Sequence, residues 1–388
     1  MILNDEHRLI QDTARRCAQD HLAPVAARLD KAESPNEDRA LFLSHLNKLA
    51  ELGLMGLNVR ADYGGSEAGT VAFSLAITEI ARACASTAVT TSVTNMVGEV
   101  LQSVASEAQK QQYLPKLCGG EFAAGAFCLS EAGAGSDPSS MATRAEQQGD
   151  EWVLNGAKLW ITSAEYAGVF VVWAVTDPSA KKGKGISCFL VEAGTPGMTI
   201  ERSEDKMGQH ASSTNRVTFD DCRIPASALV GQVHQGFRIA VGELAGGRIG
   251  IASLALGVGL AAIEYATRYI QERQQFGSKI ADLQGPQWMV ADAYTQLEAS
   301  RLLTLHAAAL KDAGQPFATA ASMAKLHASE TANKVCYTAI QLMGGLGYTR
   351  EVPLERYARD ARVTSIYEGT SEVQRIIIAR EVLQQMAG

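Results

Sequence analysis

The segment Ile366-Tyr367-Glu368-Gly369-Thr370-Ser371-Glu372 sets a carboxylate between an aromatic ring and a glycine, immediately ahead of a helical run. Ser371 and Gln374 have the spacing of a capping box, and Val373, Ile376, Ile377, Val382 and Leu383 continue at helical intervals. Glu368 is therefore expected just before the positive end of a helix, in a place where a buried general base can be mounted. The competing reading is a solvated loop glutamate, the commonest state of that residue type.

Other segments carry binding chemistry. Phe127-Cys128-Leu129-Ser130-Glu131, continuing through Gly133, Gly135, Ser136 and Asp137, follows a strand-like run. Its alternating glycines and hydroxyls suit a loop that wraps backbone amides around phosphate; the alternative is an ordinary loop. Trp160-Ile161-Thr162-Ser163 offers an indole and hydroxyls to a flat ring, the alternative being a tryptophan packed in the core. Arg273-x-x-Phe276-Gly277, with Gln284 beyond, reads either as a helix end with a C-cap glycine or as an anion site. Gln341 to Tyr348 holds Gly344, Gly345 and Gly347, more than one C-cap needs, which leaves room for a ligand or a neighbouring chain. Gly257-Val258-Gly259-Leu260-Ala261-Ala262 fits the dinucleotide fingerprint formally but follows helical rather than strand sequence, so it reads as helix packing.

The elements that position these residues fall into three stretches, and 388 residues suffice for two or three domains. Periodicity predicts an N-terminal α-helical domain over 1–122, with Leu41–Leu54 and Val71–Ala85 repeating apolar residues at three and four. Over 123–235 the period becomes two, predicting a middle β-barrel or sandwich with strands at Phe170–Val175, Ile186–Val191 and Val217–Phe219. Asn155-Gly156 between the strand-like runs Trp152–Leu154 and Ala157–Trp160 predicts a hairpin. Over 236–388 long helical segments predict a C-terminal four-helix bundle, built from Phe237–Gln275, Gln287–Ala313, Ala318–Met343 and Ser371–Met386. The chain is thus an α+β multidomain protein.

A net charge of −7 with no basic stripe argues against nucleic-acid binding. The strongly apolar stretch at Ile251–Ile263 falls short of the ~20 residues that span a bilayer, so no membrane insertion is expected, and the N-terminus does not resemble a signal peptide. Seven cysteines without a C-x-x-C pair, and seven dispersed histidines, give no metal site and point to a reducing cytoplasm.

Taken together, Phe127–Asp137, Trp160-Ile161-Thr162, Asp221-Cys222-Arg223-Ile224-Pro225, Arg273-x-x-Phe276-Gly277, Gln341–Gly345, Arg359-Asp360-Ala361-Arg362 and Ile366–Glu372 closely resemble the acyl-CoA dehydrogenase family across nearly the whole chain. The resemblance implies the same three-domain order, one FAD per subunit, a homotetramer, and electron-transfer flavoprotein as the electron acceptor. It implies that Phe127, Leu129, Ser130, Gly135 and Ser136, with Trp160, Ile161 and Thr162, contact the flavin, and that Thr370 and Glu372 do so beside the base. Arg273, Phe276, Gln284, Gln341, Gly344 and Gly345 match positions that hold FAD across a subunit interface. Ser136, Arg248, Tyr367 and Gly369 match substrate contacts, with Glu368 as the catalytic base.

The implied reaction is α,β-dehydrogenation of a short- to medium-chain, or short branched, acyl-CoA to the trans-2-enoyl-CoA. Ala245 stands where relatives often carry an aspartate, and Gly247 occupies the bundle position where some members place the base. Ser86–Glu99 contains no Lys or Arg, which argues for a neutral acyl chain. The alternatives are an acyl-CoA oxidase using O2 and a non-catalytic flavoprotein of the same fold.

Overall fold

A computed structural model describes residues 3–387; Met1, Ile2 and Gly388, at the edges of the first and last expected domains, lie outside the described residues. The N-terminal helices are α1 (Asp5–Cys17), α2 (Ala26–Lys31), α3 (Pro35–Glu51), α4 (Gly69–Ala83), α5 (Ala85–Val104) and α6 (Glu107–Cys118). Strands follow: β1 (Ala124–Cys128), β2 (Arg144–Gln148), β3 (Glu151–Thr162), β4 (Ala167–Val175), β5 (Ile186–Glu192), β6 (Met198–Ser203), β7 (Thr214–Pro225) and β8 (Leu229–Val230). The chain then forms α7 (Gly236–Glu272), a small ribbon of β9 (Gln274–Gln275) and β10 (Ser278–Lys279), α8 (Gln284–Asp312), α9 (Ala318–Met343), α10 (Leu354–Arg362) and α11 (Ser371–Ala387).

The expected barrel or sandwich is one mixed eight-stranded sheet in the order β6-β7-β3-β2-β4-β5-β8, with β1 parallel to β4. Its two limbs join only where Arg144 pairs with Val175, and they close on a shared core of Trp152, Leu154, Phe170, Phe189, Val217 and Phe219. The Asn155-Gly156 hairpin does not form. β3 runs straight through the pair, and the register against β7 slips there as a bulge. Asn155 spends its side chain across the ladder, accepting from the Asp221 amide at 2.8 Å and donating to the Asp221 carboxylate at 3.1 Å. Gly156 lies against Thr143, where a Cβ would stand 2.7 Å from the Thr143 Cα. Tertiary pairing on both sides thus overrides the local turn preference. The β2–β3 connection is made instead at Gly149, whose φ is +62°.

α7 is long and apolar enough to span a bilayer, more so than the Ile251–Ile263 stretch alone suggests, but 78% of its apolar window is buried inside the protein. Its small residues serve close packing, as expected for Gly257 and Gly259: a Cβ at Gly257 would meet the Thr78 carbonyl at 2.3 Å, and one at Gly259 would meet Leu297 at 2.8 Å. Arg248 on α7 reaches Ser322 on α9 at 3.3 Å, and Gly259 faces Ala332. Both contacts advance together, so α7 and α9 run parallel with α8 returning between them. α11 packs on α9 at the edge of the bundle and leaves Ile376 (57% exposed), Leu383 (66%) and Met386 (81%) uncovered. Of the apolar residues that recur along α11, Val373, Ile377 and Val382 are half-buried and Ile376 and Leu383 are exposed in one chain.

Candidate active site

Glu368 lies in the short link between α10 and α11. Its φ of +54° and that of Gly369, +86°, fold the backbone back on itself. Thr370, rather than Ser371, caps α11: its hydroxyl accepts from the Val373 amide at 3.3 Å and its carbonyl from the Gln374 amide at 2.9 Å. Gln374 is thereby released from the expected capping box. Fully buried, it donates through Nε2 to the carbonyls of Glu368 (3.2 Å) and Gly369 (2.9 Å). A Cβ on Gly369 would stand 2.7 Å from that Nε2, so glycine is needed both for the left-handed backbone and for space.

As a residue Glu368 is half-buried, but its Oε2 is shut off from solvent and has no hydrogen-bond partner. Burial pushes its proton affinity well above the usual carboxylate range, opposed by the cations Arg248 and Lys325. The solvated-loop reading is thus excluded. The floor beneath the carboxylate is Gly247 on α7, where a Cβ would meet Oε2 at 2.9 Å and the Met96 sulfur of α5 at 3.0 Å. Arg248, the next residue, is 7% exposed, and its Nε also lacks a partner. Tyr367 is held by the Gln209 amide of the β6–β7 loop at 3.2 Å, and Gln209 in turn binds Asp360.

α5 connects this wall to the sheet. Thr94 accepts from the Gly125 amide of β1 at 3.2 Å, and Thr90 lies 3.0 Å from Ser163 at the end of β3. The Leu159 amide donates to Ser130 at 2.9 Å, which brings the 127–137 loop beside Trp160-Ile161-Thr162. Trp160 has φ +63° and is 57% exposed, so it is not the core tryptophan of the competing reading. Ser130 and Thr162 are half-buried, Gly135 and Ser136 are open to solvent, and Leu129 and Ile161 are buried under the loop. Phe127 packs against Trp173 at 4.3 Å. An exposed indole, a glycine-rich loop with free space at Gly133 and Gly135, and orphaned polar atoms at Glu368, Arg248, Ser371 and Gln374 together fit a flat ring with a polar tail such as FAD.

The remaining expected contacts lie elsewhere. Arg273 is 26 residues beyond Gly247, roughly 39 Å at ~1.5 Å per residue. Because α7 and α9 are parallel, Gln341, Gly344 and Gly345 sit at that same distant end, with Phe276 and Gln284. All six are exposed, and Phe276 is 94% accessible. Gly277 is not a C-cap: Arg273 ends α7, and Phe276 (φ +53°) with Gly277 (φ +79°) makes the tight turn of the β9–β10 ribbon.

Two buried lysines escaped the sequence reading. Lys325 of α9, with no accessible surface, donates to the Gly369 carbonyl at 2.7 Å. Lys158 of β3 pairs with Glu131 at 2.8 Å, while Glu131 also accepts from the amides of Ala142 (2.6 Å) and Thr143 (3.0 Å), which fixes the loop after β1. Nothing in their neighbours along the chain marks them. Only their polarity at core positions of apolar elements was a signal.

Residues 4–121, 126–222 and 234–383 match, respectively, the N-terminal, middle and C-terminal domains of acyl-CoA dehydrogenase. The short-chain specific acyl-CoA dehydrogenase of Rattus norvegicus mitochondria is 45% identical over 384 residues, spanning 98% of this chain and 91% of its own. Among solved structures, butyryl-CoA dehydrogenase from Megasphaera elsdenii superposes with a TM-score of 0.94 at 36% identity, 99% of each chain being covered. A chain from the electron-transferring flavoprotein structure of Acidaminococcus fermentans gives a TM-score of 0.95 at 40% identity, again over 99% of both. Spanning the three domains in order, with a desolvated carboxylate between the bundle and the sheet, the chain belongs to the acyl-CoA dehydrogenase family, whose members are FAD-dependent oxidoreductases.

Proposed function

We propose that this protein dehydrogenates a short, neutral acyl-CoA to the trans-2-enoyl-CoA and hands the electrons to electron-transfer flavoprotein. The observation that carries this reading is the buried, unpartnered Glu368 Oε2 above Gly247. Glu368 takes the α-proton of the thioester as the Cα–Cβ double bond forms and the β-hydrogen departs with its electron pair. Bound FAD supplies the acceptor for that hydride. Desolvation makes Glu368 a stronger base than a surface glutamate, and Arg248 with Lys325 keeps part of its population ionised. Its own backbone N–H supports the developing enolate oxygen, a donor of the kind worth ~3 kcal/mol in the transition state.

Short chain length is supported one turn below the base. There a Cβ on Gly250 would stand 2.2 Å from the Ser92 hydroxyl and 3.2 Å from Phe73, so α5 and α7 close the space beneath Gly247. Ser86–Glu99 supplies no cation, as expected, but the fold brings Lys311 from α8 beside Gly246 and pairs it with Glu99, so that this ammonium is already neutralised. The acceptor is supported by likeness to a chain from the electron-transferring flavoprotein structure. A homotetramer is supported by the outward apolar residues of α11 and by the distance of Arg273, Phe276 and Gln341 from Glu368, which leaves them to serve a neighbouring copy. A reducing cytoplasm accords with the free thiols, all buried.

The test is anaerobic mixing with butyryl-CoA. Wild type bleaches its flavin. Glu368→Gln keeps the yellow flavin and binds the thioester, but loses flavin reduction by roughly 10²–10⁴-fold or more. Ordinary bleaching by that variant overturns the assignment.

A further inference from the structure

Lys325 is an unusual residue for its place. It projects from the middle of α9 with no accessible surface, surrounded along its own helix by Ala321, Ala324 and Ala328, and a lone buried ammonium is strongly disfavoured unless it meets a partner. Its hydrogen bond goes to the Gly369 carbonyl at 2.7 Å, in the peptide that closes the Glu368–Gly369 turn. Glu368 and Gly369, the two residues just before that peptide, both have positive φ, a conformation the local chain does not favour by itself. Gln374 holds the same carbonyl from the other side.

The charged and titratable groups around the Glu368 carboxylate are Arg248 on α7, Lys325 on α9, Tyr367 on its own link, and Glu372 on α11, which acts on Lys325. α5 contributes only the uncharged Met96. Arg248 is spoken for in part by Ser322, so Lys325 is the cation tied directly to the backbone of the link that carries the base, at Gly369.

We propose that Lys325 is a positioning residue for Glu368: its buried ammonium anchors the strained Glu368–Gly369 turn and supplies the positive field that holds the neighbouring carboxylate in its charged, proton-accepting form. The proposal rests on the reading of Glu368 as the base. Burial pushes Lys325 itself down to about 8, so its charge is fully present in the acid and neutral range and fades above that. One residue thus serves geometry and electrostatics together, and the two roles are separable by substitution. Lys325→Gln keeps a donor for the Gly369 carbonyl and removes the charge. Lys325→Met removes both, while Gln374 still satisfies that carbonyl, so the fold is preserved. Lys325→Arg retains the charge.

The experiment uses the oxidised holoenzyme. The carboxyl stretch that disappears in Glu368→Gln is titrated by infrared difference spectroscopy in each variant. In parallel, the rate of flavin reduction by butyryl-CoA is followed anaerobically across pH. Lys325→Gln and Lys325→Met are expected to raise the Glu368 midpoint, and with it the acidic limb of the reduction rate, by roughly one pH unit, with Lys325→Arg close to wild type. An unchanged midpoint in both neutral variants overturns the proposal, because a merely structural lysine lowers the rate at every pH without moving the limb. Wild type that fails to bleach overturns the assignment of Glu368 instead, and the Lys325 proposal falls with it.

Discussion

At the scale of single residues, the proposed base is defined as much by an absence as by a carboxylate. Gly247 gives Glu368 its floor, and the 2.9 Å that a Cβ would leave to Oε2 shows how little space separates them. Gly247→Ala should push the flexible carboxylate rather than the backbone. Flavin reduction by butyryl-CoA is then expected to slow by about tenfold or more, since misplacement of a reacting group by ~1 Å is worth about that or more. Thermal stability should move by no more than ~1–3 kcal/mol, the ordinary cost of one extra methyl. Stopped-flow reduction and calorimetry on the same preparation check both, and an unslowed variant would show that the carboxylate is not confined from below. The carboxylate and its flanking Tyr367 were legible in the sequence. The cap was not: Ser371 and Gln374 have the spacing of a capping box, yet Thr370 takes the role because the αL turn at Glu368 and Gly369 shifts the helix start by one residue.

At the scale of elements, the loop after β1 and the strand β3 form one unit locked by Lys158 and Glu131. Both ions are buried, with Lys158 wholly inaccessible. Desolvation pulls the lysine down, while the lysine and two backbone amides hold the glutamate below its usual range. Removing one partner of a buried pair leaves the other uncompensated. Lys158→Met is expected to cost roughly 3 kcal/mol, the low end for such pairs because Glu131 retains the Ala142 and Thr143 amides. Chemical denaturation read by tryptophan fluorescence measures it, together with the flavin content of the purified variant, which should fall because Ser130 and Trp160 are joined through this unit. Equal stability and full flavin loading would show the pair to be incidental. Helical elements were readable because their apolar residues recur at one period over many turns. The Asn-Gly hairpin was misread because a bulged central strand paired on both sides uses the same two residues.

At the scale of the whole molecule, the three domains meet at a clasp. Arg359 of α10 binds Asp30 of α2 at 2.6 Å and Glu355 at 2.7 Å, and also reaches the Met207 carbonyl at 3.1 Å. His210 of the β6–β7 loop points one ring nitrogen at the Asp30 carbonyl and the other at the Lys206 carbonyl, each at 2.6 Å. Two acceptors for two nitrogens require the imidazolium form. Hydrogen bonding and attraction to Asp30 accordingly raise His210 from 6.5 to about 9. A group whose folded value lies above its unfolded one stabilises fully below the unfolded value and loses that contribution as pH rises through the folded one. The melting temperature should therefore fall between pH 6.5 and about 9, and His210→Gln should remove that part of the slope. A pH series of thermal melts on both proteins decides it; identical slopes would dissociate the clasp from stability.

By itself the sequence determined the helical, β and helical periods along the chain and the absence of Lys and Arg from Ser86–Glu99, and it marked Glu368 as the candidate base, because each is written in residues close together in the chain. The tertiary structure alone decided which residues share a site. It carried Arg273 and Gln341 to the far end of the bundle and left Ile376 and Leu383 of α11 exposed. It also set Lys325 of α9 against the Gly369 carbonyl, 44 residues away in sequence. Burial and charge proximity depend on distances through space, and periodicity along one element holds no record of what a distant element places opposite it.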